Sequence, residues 1–370
     1  MFSRRDWLKA SVGVGGLLLT PTQLLTAQEK KKFNPRPLEP IIRLSSNENP
    51  YGPSARVRER VQQSFAHACR YPYAYSDDLA EILAQKHGVS PESILITGGS
   101  TEGLKVTGIT FAANGGEIIS GQPTFLAMMD YAKQWGATVN WVPVGADKGY
   151  DLEAIEKQIS SKTKLVFLCN PNNPTGTLVP ADKLLDFCAT ASKKTIIFSD
   201  EAYYDFIETP NYPSLVEAVK RGENVIVSKT FSKVYGMAGM RIGYLIAKPE
   251  LAQQIRANLV AMSNVLAIEG AKEALKDEAF YRFSLEQNKL AKQQIYTLLD
   301  HLKLAYVPSH TNFVFFHAQK DIRELGPQFL KKGIRIGRPF PPFYDWCRIS
   351  TGTQEEVALF VKAMKEIYEG

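Results

Sequence analysis

The sequence feature that most limits the fold is an alternation of short apolar runs with helical patterns, which begins at residue 94. The runs that predict buried strands cover residues 94–97, 117–120, 138–144, 164–168, 195–199 and 225–227. Apolar residues at spacings of three and four predict helices between them, over residues 101–111, 124–135, 151–160 and 180–191. Strands that alternate with helices form a mostly parallel sheet that is covered on both faces and binds ligands at the carboxyl ends of its strands. The sequence therefore predicts an α/β fold.

The length and the later part of the chain predict a second, smaller domain. The chain has 370 residues, which is more than one small domain needs. Its later part is helical over residues 251–275 and 280–301. Strands at 312–316 and 333–336, a helix between them and a closing helix at 353–368 then predict an α+β arrangement.

Charge and cysteine usage exclude several classes of protein. The formal net charge of +6 comes from scattered basic residues, so no nucleic-acid partner is expected. The cysteines stand far apart along the chain, which predicts neither a disulfide framework nor a zinc site. The histidines also lack the spacing of metal ligands, so no metal site is expected.

Residues 1–27 have the order of an export signal, with Arg4 and Arg5 near the start, a weakly apolar run over residues 10–20 and small residues up to Ala27. The apolar run is too short to span a bilayer as a helix. The paired arginines resemble the twin-arginine signal, which implies export to the periplasm through the twin-arginine translocase. Whether the signal is cleaved or kept as an anchor stays open, and a disordered or amphipathic start is the alternative.

A hydroxyl-rich loop that ends in a lysine follows the predicted strand at 225–227. Thr230 and Ser232 offer hydroxyl donors, and Arg241 offers a planar fork that suits phosphate. A partly desolvated lysine near other cations has a lowered pKa, so the neutral amine of Lys233 could attack a carbonyl. The loop predicts a nucleophilic amine beside an anion site, and a basic surface loop is the alternative.

Other polar motifs also follow predicted strands. A glycine turn at residues 98–101 opens a helix, and the free N–H groups at a helix N-terminus can bind phosphate. Ser100 and Thr101 are therefore candidate phosphate donors, with helix capping as the alternative. Asp200 directly follows the strand at 195–199, so its carboxylate lies at the same edge of the predicted sheet.

Taken in order, these motifs resemble those of the class I/II, fold-type I aminotransferases that depend on pyridoxal 5'-phosphate (PLP). Besides the lysine loop, the match includes the N-P-x-N-P-T-G pattern at 170–176 and the R-I-S-x-G-T pattern that begins at Arg348. The N-E-N-P-Y-G-P segment at 47–53 resembles the arm of the histidinol-phosphate aminotransferase subfamily. The resemblance implies PLP as the cofactor. It also implies a large domain with a mostly parallel seven-stranded sheet and a smaller α+β domain.

The resemblance assigns individual roles. Lys233, Asp200 and Tyr203 are the predicted catalytic residues, and Asn173 binds the phenolic oxygen of the cofactor beside Tyr203. The predicted cofactor-binding set is Ser100, Thr101, Phe125, Asn173, Asp200, Tyr203, Thr230, Ser232, Lys233, Arg241 and Tyr71. Phe125 would stack on the cofactor ring. Tyr71 would reach the cofactor phosphate of the neighbouring subunit, which implies a homodimer. The predicted substrate-binding set is Arg348, Arg338, Asn47 and Tyr51. Packing roles for Tyr71, Phe125 and Arg338 are the alternatives.

The implied domains are the signal at 1–27, an N-terminal arm with part of the small domain at 28–66, the large PLP-binding domain at 67–257 and the C-terminal small domain at 258–370. The implied reaction moves an amino group between an amino acid, or a histidinol-phosphate-like amine, and a 2-oxo acid by a ping-pong route. A lyase, racemase or decarboxylase on the same fold, or a PLP-fold binding protein without turnover, is the alternative. An exported enzyme does not suit histidine biosynthesis, so the substrate is not inherited from the subfamily.

Overall fold

The computed structural model describes residues 40–370, so the predicted signal at 1–27 and the first part of the predicted arm lie outside the described residues. The strands are β1 (Ile42–Arg43), β2 (Ile94–Thr97), β3 (Glu117–Gln122), β4 (Thr138–Pro143), β5 (Thr163–Cys169), β6 (Ile196–Asp200), β7 (Val225–Thr230), β8 (Gly243–Ala247), β9 (Tyr306–Val307), β10 (Phe313–His317), β11 (Ile334–Arg335) and β12 (Trp346–Ser350).

The α-helices are α1 (Ala55–Gln63), α2 (Tyr73–His87), α3 (Ser100–Ala112), α4 (Ala127–Lys133), α5 (Leu152–Gln158), α6 (Ala181–Ala191), α7 (Val216–Lys220), α8 (Pro249–Arg256), α9 (Val265–Ala274), α10 (Glu278–His301), α11 (Ile322–Lys331) and α12 (Gln354–Tyr368). Among the residues that the structure describes, none of these helices combines the length and the apolar content that a bilayer span requires.

The main sheet has seven strands in the order β2-β8-β7-β6-β5-β3-β4. Its pairings are parallel except those of β8, which runs antiparallel to both β2 and β7. Neighbouring residues of a strand pack on opposite faces of this sheet. Val225 and Val227, for example, belong to one hydrophobic cluster and Ile226 to another. The predicted mostly parallel seven-stranded sheet, covered on both faces, is therefore confirmed.

Strand β8 was absent from the strands derived from periodicity. Its five residues are fully buried, so they show no alternation that would separate a strand from a short buried helix. Gly243 begins β8 in a crowded place, because a Cβ there would lie 2.7 Å from the Ser100 nitrogen and 2.9 Å from the Lys229 oxygen. A glycine at this position lets the start of α3 and strand β7 both pack closely against the start of β8.

The later part of the chain forms two smaller sheets. Strands β12, β10 and β9 pair antiparallel in that order, and β1 pairs parallel with β11. Residues of β10, β12, α10, α11 and α12 share one hydrophobic cluster, which includes Phe329 and Phe360 with stacked rings 5.4 Å apart. The predicted α+β arrangement is present, whereas the domain boundaries at 66 and 257 stay predictions.

Two predicted helices have different limits in the structure. The helix expected over residues 251–275 is two helices, α8 and α9, because Asn264 caps a new helix by accepting a hydrogen bond from the Ala267 nitrogen. The helix expected to begin at residue 78 begins at Tyr73, directly after Pro72. Ser54 caps α1 as its sequence context predicts, since its side chain accepts from the Val57 nitrogen.

Candidate active site

The site begins at the carboxyl edge of the main sheet, where three neighbouring strands end. In the parallel register Cys169 of β5 lies beside Asp200 of β6, and Asp200 lies beside Ser228 of β7. Lys233 follows three residues after the end of β7 at Thr230. Side chains that are far apart in sequence are therefore brought together by strand pairing alone.

The amine of Lys233 lies above the Tyr203 ring, 5.5 Å from its centroid. It donates a 2.9 Å hydrogen bond to the Asn47 carbonyl oxygen. Burial and then the nearby Arg348 guanidinium lower the pKa of Lys233 to about 8, against the opposing effects of acidic groups that include Asp200. A lysine with this pKa is partly neutral near physiological pH, which a nucleophilic amine requires.

Asp200 is a buried carboxyl, with 2% of its surface exposed. Burial raises its pKa to about 7, although the Ala202 backbone N–H and the charge of Lys233 favour the ionised form. The Ala202 nitrogen donates to its Oδ1 over 3.3 Å. A carboxyl poised in this way would ionise fully beside a new cation, such as a protonated ring nitrogen.

Three buried side chains meet at the hydroxyl group of Tyr203. Asn47 Nδ2 donates to this hydroxyl over 2.9 Å, and Asn173 Nδ2 donates to it over 3.3 Å. Burial raises the pKa of Tyr203 well above its usual range, so the phenol stays protonated and can itself donate. The pair predicted to hold a phenolic oxygen, Asn173 and Tyr203, is thus in direct contact.

Arg348 lies in β12 and is nearly buried, with 7% of its surface exposed. Its Nη1 donates a 2.6 Å hydrogen bond to Asn173 Oδ1, and its Nη2 donates to the Ser45 carbonyl oxygen. The guanidinium carbon lies 5.4 Å from the Phe313 ring centroid and 4.8 Å from that of Phe340. Its Nε is buried without a hydrogen-bond partner among the described residues.

The predicted phosphate donors surround the start of α3. Arg241 Nη2 donates over 3.3 Å to the Gly98 carbonyl oxygen, so its guanidinium lies beside the glycine turn that precedes Ser100 and Thr101. A Cβ at Gly99 would overlap this guanidinium, and Gly99 has a φ of +84°. Only glycine therefore lets Arg241 come this close to the helix N-terminus.

The remaining phosphate candidates form a hydroxyl pair in the lysine loop. Thr230 Oγ1 donates to Ser232 Oγ over 3.0 Å, and the Ser232 nitrogen donates to Thr230 Oγ1 over 3.1 Å. Both residues are buried. The Thr230 hydroxyl is thus oriented by the Ser232 backbone N–H. The role of this pair in binding phosphate stays a prediction.

Three predicted residues make contacts with groups other than Lys233. Tyr51 donates from its hydroxyl to Gln287 Oε1 over 3.3 Å and is packed among α10 side chains. Arg338 is exposed, with its guanidinium 4.4 Å from the Phe340 ring and its Nη1 bonded to the adjacent Pro339 oxygen. Tyr71 is 81% exposed.

The other two predicted residues are Phe125, which is partly buried, and Asn47, which contacts the site directly. Phe125 packs partly buried against one of the two clusters of the main sheet. Asn47, predicted to bind substrate, has its carbonyl bonded to Lys233 and its side chain bonded to Tyr203, with a backbone φ of +55°. The predicted role of Asn47 in substrate binding stays a prediction. Its contacts show that it links Lys233 to Tyr203.

Two residues that hold Asn47 in place were not predicted. Ser350 Oγ donates to Asn47 Oδ1 over 2.8 Å, and Asn312 Nδ2 donates to the Asn47 carbonyl oxygen over 3.0 Å. Ser350 could have been found, because it lies two residues after Arg348 in a strand and so faces the same side. Asn312 carried no signal, since a single asparagine before a strand is common in loops.

The fold and this edge of the sheet define the PLP-dependent transferases of fold type I, in which a lysine, an aspartate and an asparagine converge beside an anion site. The aminotransferase class I and II family matches residues 39–364, and the chain belongs to that family. The predictions of an aminotransferase and of PLP as its cofactor are therefore confirmed at the level of the family, whereas the role of each residue stays a prediction.

Relatives within the family are histidinol-phosphate aminotransferases. The enzyme of Moorella thermoacetica is 38% identical over 332 residues, which cover 88% of this chain and 85% of that protein. The enzyme of Halalkalibacterium halodurans is 34% identical over 322 residues, covering 86% of this chain and 87% of that protein. The histidinol-phosphate aminotransferase of Sinorhizobium meliloti, solved in complex with PLP, superposes with a TM-score of 0.83 at 27% identity. That match covers 100% of this chain and 98% of that one.

Proposed function

We propose that this chain is a PLP-dependent aminotransferase that moves an amino group from an anionic amino donor to a 2-oxo acid, with Lys233 as its covalent and proton-transferring residue. The observation that carries the proposal is that the pKa values of two neighbouring groups are shifted in opposite directions. The pKa of Lys233 is lowered to about 8 while the pKa of Asp200 is raised to about 7, both chiefly by burial. Titratable groups shifted in this way are typical of reactive centres.

The residues present fit the cofactor. Asp200 is a buried carboxyl whose ionised form would be stabilised by a cationic ring nitrogen, and Asn173 with Tyr203 offers donors for a phenolic oxygen. Arg241 beside the start of α3 offers a cation and free N–H groups for a phosphate. When bound, PLP supplies an aldehyde for the lysine amine and a ring that withdraws electrons from the substrate.

The side chains of this protein then perform the proton transfers. At pH 7.5 roughly a quarter of Lys233 is neutral if its pKa is about 8, so an amine is available both to bind the aldehyde and to accept a proton. Lys233 would remove the α-proton of the substrate and deliver it to the former aldehyde carbon of the cofactor, which lies on the other side of the amino nitrogen. Asp200 would keep the ring nitrogen protonated throughout. Tyr203 and Asn173 would hold the phenolic oxygen in place.

Arg348 supports an anionic substrate group. Its guanidinium carbon lies 5.4 Å from the Phe313 ring centroid and 4.8 Å from that of Phe340, and its buried Nε has no hydrogen-bond partner among the described residues. Planar recognition of a carboxylate or phosphate is the task for which arginine is suited. Arg338 is a second candidate for a distal anion, since it lies close enough to lower the pKa of Arg348. A histidinol-phosphate-like amine and an α-amino acid both satisfy this requirement.

The proposal includes a homodimer and export. Tyr71 and Tyr73 are 81% and 64% exposed, and their ring centroids lie 6.0 Å apart, so an aromatic pair is available to a second copy of the chain. Export through the twin-arginine translocase to the periplasm is supported by the pattern of residues 1–27 alone. A fusion of these residues to a reporter, assayed in cells with and without the translocase, tests that part separately.

The central experiment is the Lys233→Ala variant. Wild-type protein incubated with PLP is expected to gain a visible absorbance. Borohydride should abolish this absorbance and leave the cofactor attached covalently to one lysine. Lys233→Ala should lose this covalent product and all amino transfer, because no other amine occupies that position. Lys193→Ala, which changes an exposed lysine, is the control and should behave as wild type. Covalent labelling of Lys233→Ala at wild-type level would overturn the proposal.

The type of reaction is tested with a panel of amino donors and 2-oxo acids. Amino transfer that requires a 2-oxo acid, with parallel initial-rate lines for the two substrates, is the expected result. Release of carbon dioxide or ammonia without a 2-oxo acid would indicate the alternative decarboxylase or lyase chemistry. Exchange of the α-proton with loss of chirality alone would indicate a racemase.

A further inference from the structure

A cluster of three hydrogen-bonded polar side chains, of which Thr124 and Asn172 are buried and Tyr150 is half-buried, joins two of the loops that line the site. Asn172 Oδ1 accepts hydrogen bonds from Tyr150 over 2.8 Å and from Thr124 over 2.9 Å. The two hydroxyl oxygens are themselves 2.7 Å apart. The Cys169 nitrogen also donates to the Tyr150 hydroxyl over 3.3 Å, so this oxygen is held by strand β5 as well.

The asparagine in this cluster uses both ends of its amide. Asn172 Nδ2 donates to the Pro123 carbonyl oxygen over 3.1 Å and to Thr175 Oγ1 over 2.9 Å. Its side chain is therefore fixed by the loop of residues 122–125 and by its own loop at residues 170–176. Thr124 and Asn172 are buried, so the loss of a hydrogen bond to either side chain would be costly.

The cluster stands directly behind two predicted cofactor ligands. Thr124 precedes Phe125, the predicted ring-stacking residue, and Asn172 precedes Asn173, the predicted ligand of the phenolic oxygen. The two loops come from β3 and β5, which neighbour each other in the sheet. The hydrogen bond between Thr124 and Asn172 therefore limits how far apart their neighbours can lie. These neighbours are Phe125, which would stack on the cofactor ring, and Asn173, which would bind its phenolic oxygen.

The Tyr150 ring packs against the backbone of Gly121 in β3. A Cβ at Gly121 would overlap the Tyr150 ring, so the glycine in β3 provides the space that the ring fills. Burial raises the pKa of Tyr150 well above its usual range, which keeps its hydroxyl a donor. No predicted cofactor or substrate role uses this tyrosine.

We infer that Tyr150 is a positioning residue, which holds Asn172 against Thr124 and thereby sets Asn173 and Phe125 at the spacing that the cofactor ring requires. The inference rests on the proposed function, because it assigns these two ligands to PLP. In this role Tyr150 acts through the amide of Asn172, to which its hydroxyl donates. Its effect is therefore on the electronic state and the affinity of the bound cofactor.

The test compares Tyr150→Phe with wild type and with Tyr368→Phe. The latter also removes a tyrosine hydroxyl that makes a hydrogen bond, to the Ala318 oxygen, but lies at the far end of α12. Both variants keep the ring and should fold. The dissociation constant of PLP is expected to rise roughly five- to tenfold in Tyr150→Phe and to stay unchanged in Tyr368→Phe.

A second readout separates positioning from a general loss of stability. An N–H donated to a phenolic oxygen stabilises its ionised form, so a loosened Asn173 should raise the pKa at which the visible absorbance of the bound cofactor changes. Tyr150→Phe should show this rise, and Tyr368→Phe should titrate as wild type. Thermal unfolding of the PLP-free proteins records any loss of stability that the two variants share.

Thr124→Val provides an independent variant should Tyr150→Phe fail to fold. It removes the other hydroxyl donor to Asn172, and the same rise in dissociation constant and titration midpoint is expected. Wild-type dissociation constants and midpoints in both variants would overturn the inference. Failure of the proposed function has a different result, since the wild-type protein would then bind PLP without any amino transfer that requires a 2-oxo acid.

Discussion

Arg348 Nη1 donates a 2.6 Å hydrogen bond to Asn173 Oδ1, so the residue predicted to bind the substrate is joined directly to a residue predicted to bind the cofactor. The other end of the Asn173 amide donates to the Tyr203 hydroxyl. A single asparagine thus connects the substrate clamp in the smaller sheet to the carboxyl edge of the main sheet. An anion that binds Arg348 would therefore act on the hydrogen bond between Arg348 and Asn173.

Arg348→Lys should weaken the binding of anionic donors. A lysine ammonium cannot hold Asn173, the Ser45 carbonyl and a substrate anion in one plane, so about 2 kcal/mol of binding is expected to be lost. This corresponds to a rise of roughly thirtyfold in the KM of the donor. Arg335→Lys, at an exposed arginine of β11, is the control and should leave the KM unchanged. An unchanged KM in Arg348→Lys would contradict its role as a clamp.

Asp200 should make the stability of the PLP-free protein depend on pH. Its pKa is about 7 in the folded protein and 3.8 ordinarily, so the folded state holds a proton that the unfolded state has lost between these values. The contribution of Asp200 to stability should therefore fall as the pH rises from 4 to 7, by an amount on the order of 4 kcal/mol at most. His87, whose pKa burial lowers to about 3, contributes the opposite trend, so the effect of Asp200 is read from the difference between wild type and a variant at position 200. Lys233 does not interfere, because its lowered pKa of about 8 acts at higher pH.

The measurement for Asp200 is urea unfolding of the PLP-free Asp200→Asn variant at a series of pH values. This variant cannot ionise, so its stability should exceed that of wild type at pH 7 and converge with it near pH 4. Asp182→Asn changes an exposed carboxyl of α6 and should keep the wild-type slope. Parallel curves for Asp200→Asn and wild type would show that the carboxyl is already ionised in the folded protein.

Gly99→Ala should weaken PLP binding through Arg241. The new methyl group would displace the guanidinium from the N-terminus of α3, and the loss of a charged hydrogen bond predicts a rise of roughly tenfold in the dissociation constant. Gly115→Ala is a matched control, because Gly115 also has a positive φ, +95°, but has open space around it. Both variants should unfold at a lower temperature, and only Gly99→Ala should bind PLP more weakly. Equal PLP affinities in the two variants would leave Arg241 without a role.

Tyr71→Phe tests the contribution of a second subunit. If the Tyr71 hydroxyl donates to the phosphate in a neighbouring copy, its removal should raise the PLP dissociation constant roughly tenfold while the protein stays a dimer by light scattering. Tyr73→Phe is the control, since its ring is similarly exposed and lies beside that of Tyr71. A monomeric wild-type protein with full PLP affinity would contradict both the dimer and this role.

The parts of the fold that local chemistry dictates were predictable from the sequence. The buried runs of β2, β5, β6 and β7 and the helices between them follow from apolar periodicity, and the cap of α1 at Ser54 follows from a polar residue before a helical pattern. The break between α8 and α9 was missed, because both flanking segments carry the same helical pattern and Asn264 is a single, ordinary residue within it.

The candidate site was predictable only as a set of residue types. Lys233, Asp200 and Asn173 each follow a predicted strand, and the rule that ligands bind at the carboxyl ends of parallel strands places them at one edge. The sequence did not indicate that Asn47 would bond to Tyr203 and Ser350, or that Tyr150 would hold Asn172. These contacts join segments that no local pattern relates.

The sequence by itself determined the α/β class, six of the seven strands of the main sheet and the family, because these depend on side-chain periodicity and on short motifs. Tertiary structure alone decided which side chains meet. Asn47 and Ser350 are separated by 303 positions, and their hydrogen bond forms only because the chain folds back on itself and both groups are shielded from water. The shifts that bring the pKa of Lys233 to about 8 and that of Asp200 to about 7 have the same origin, since burial is a property of the packed molecule.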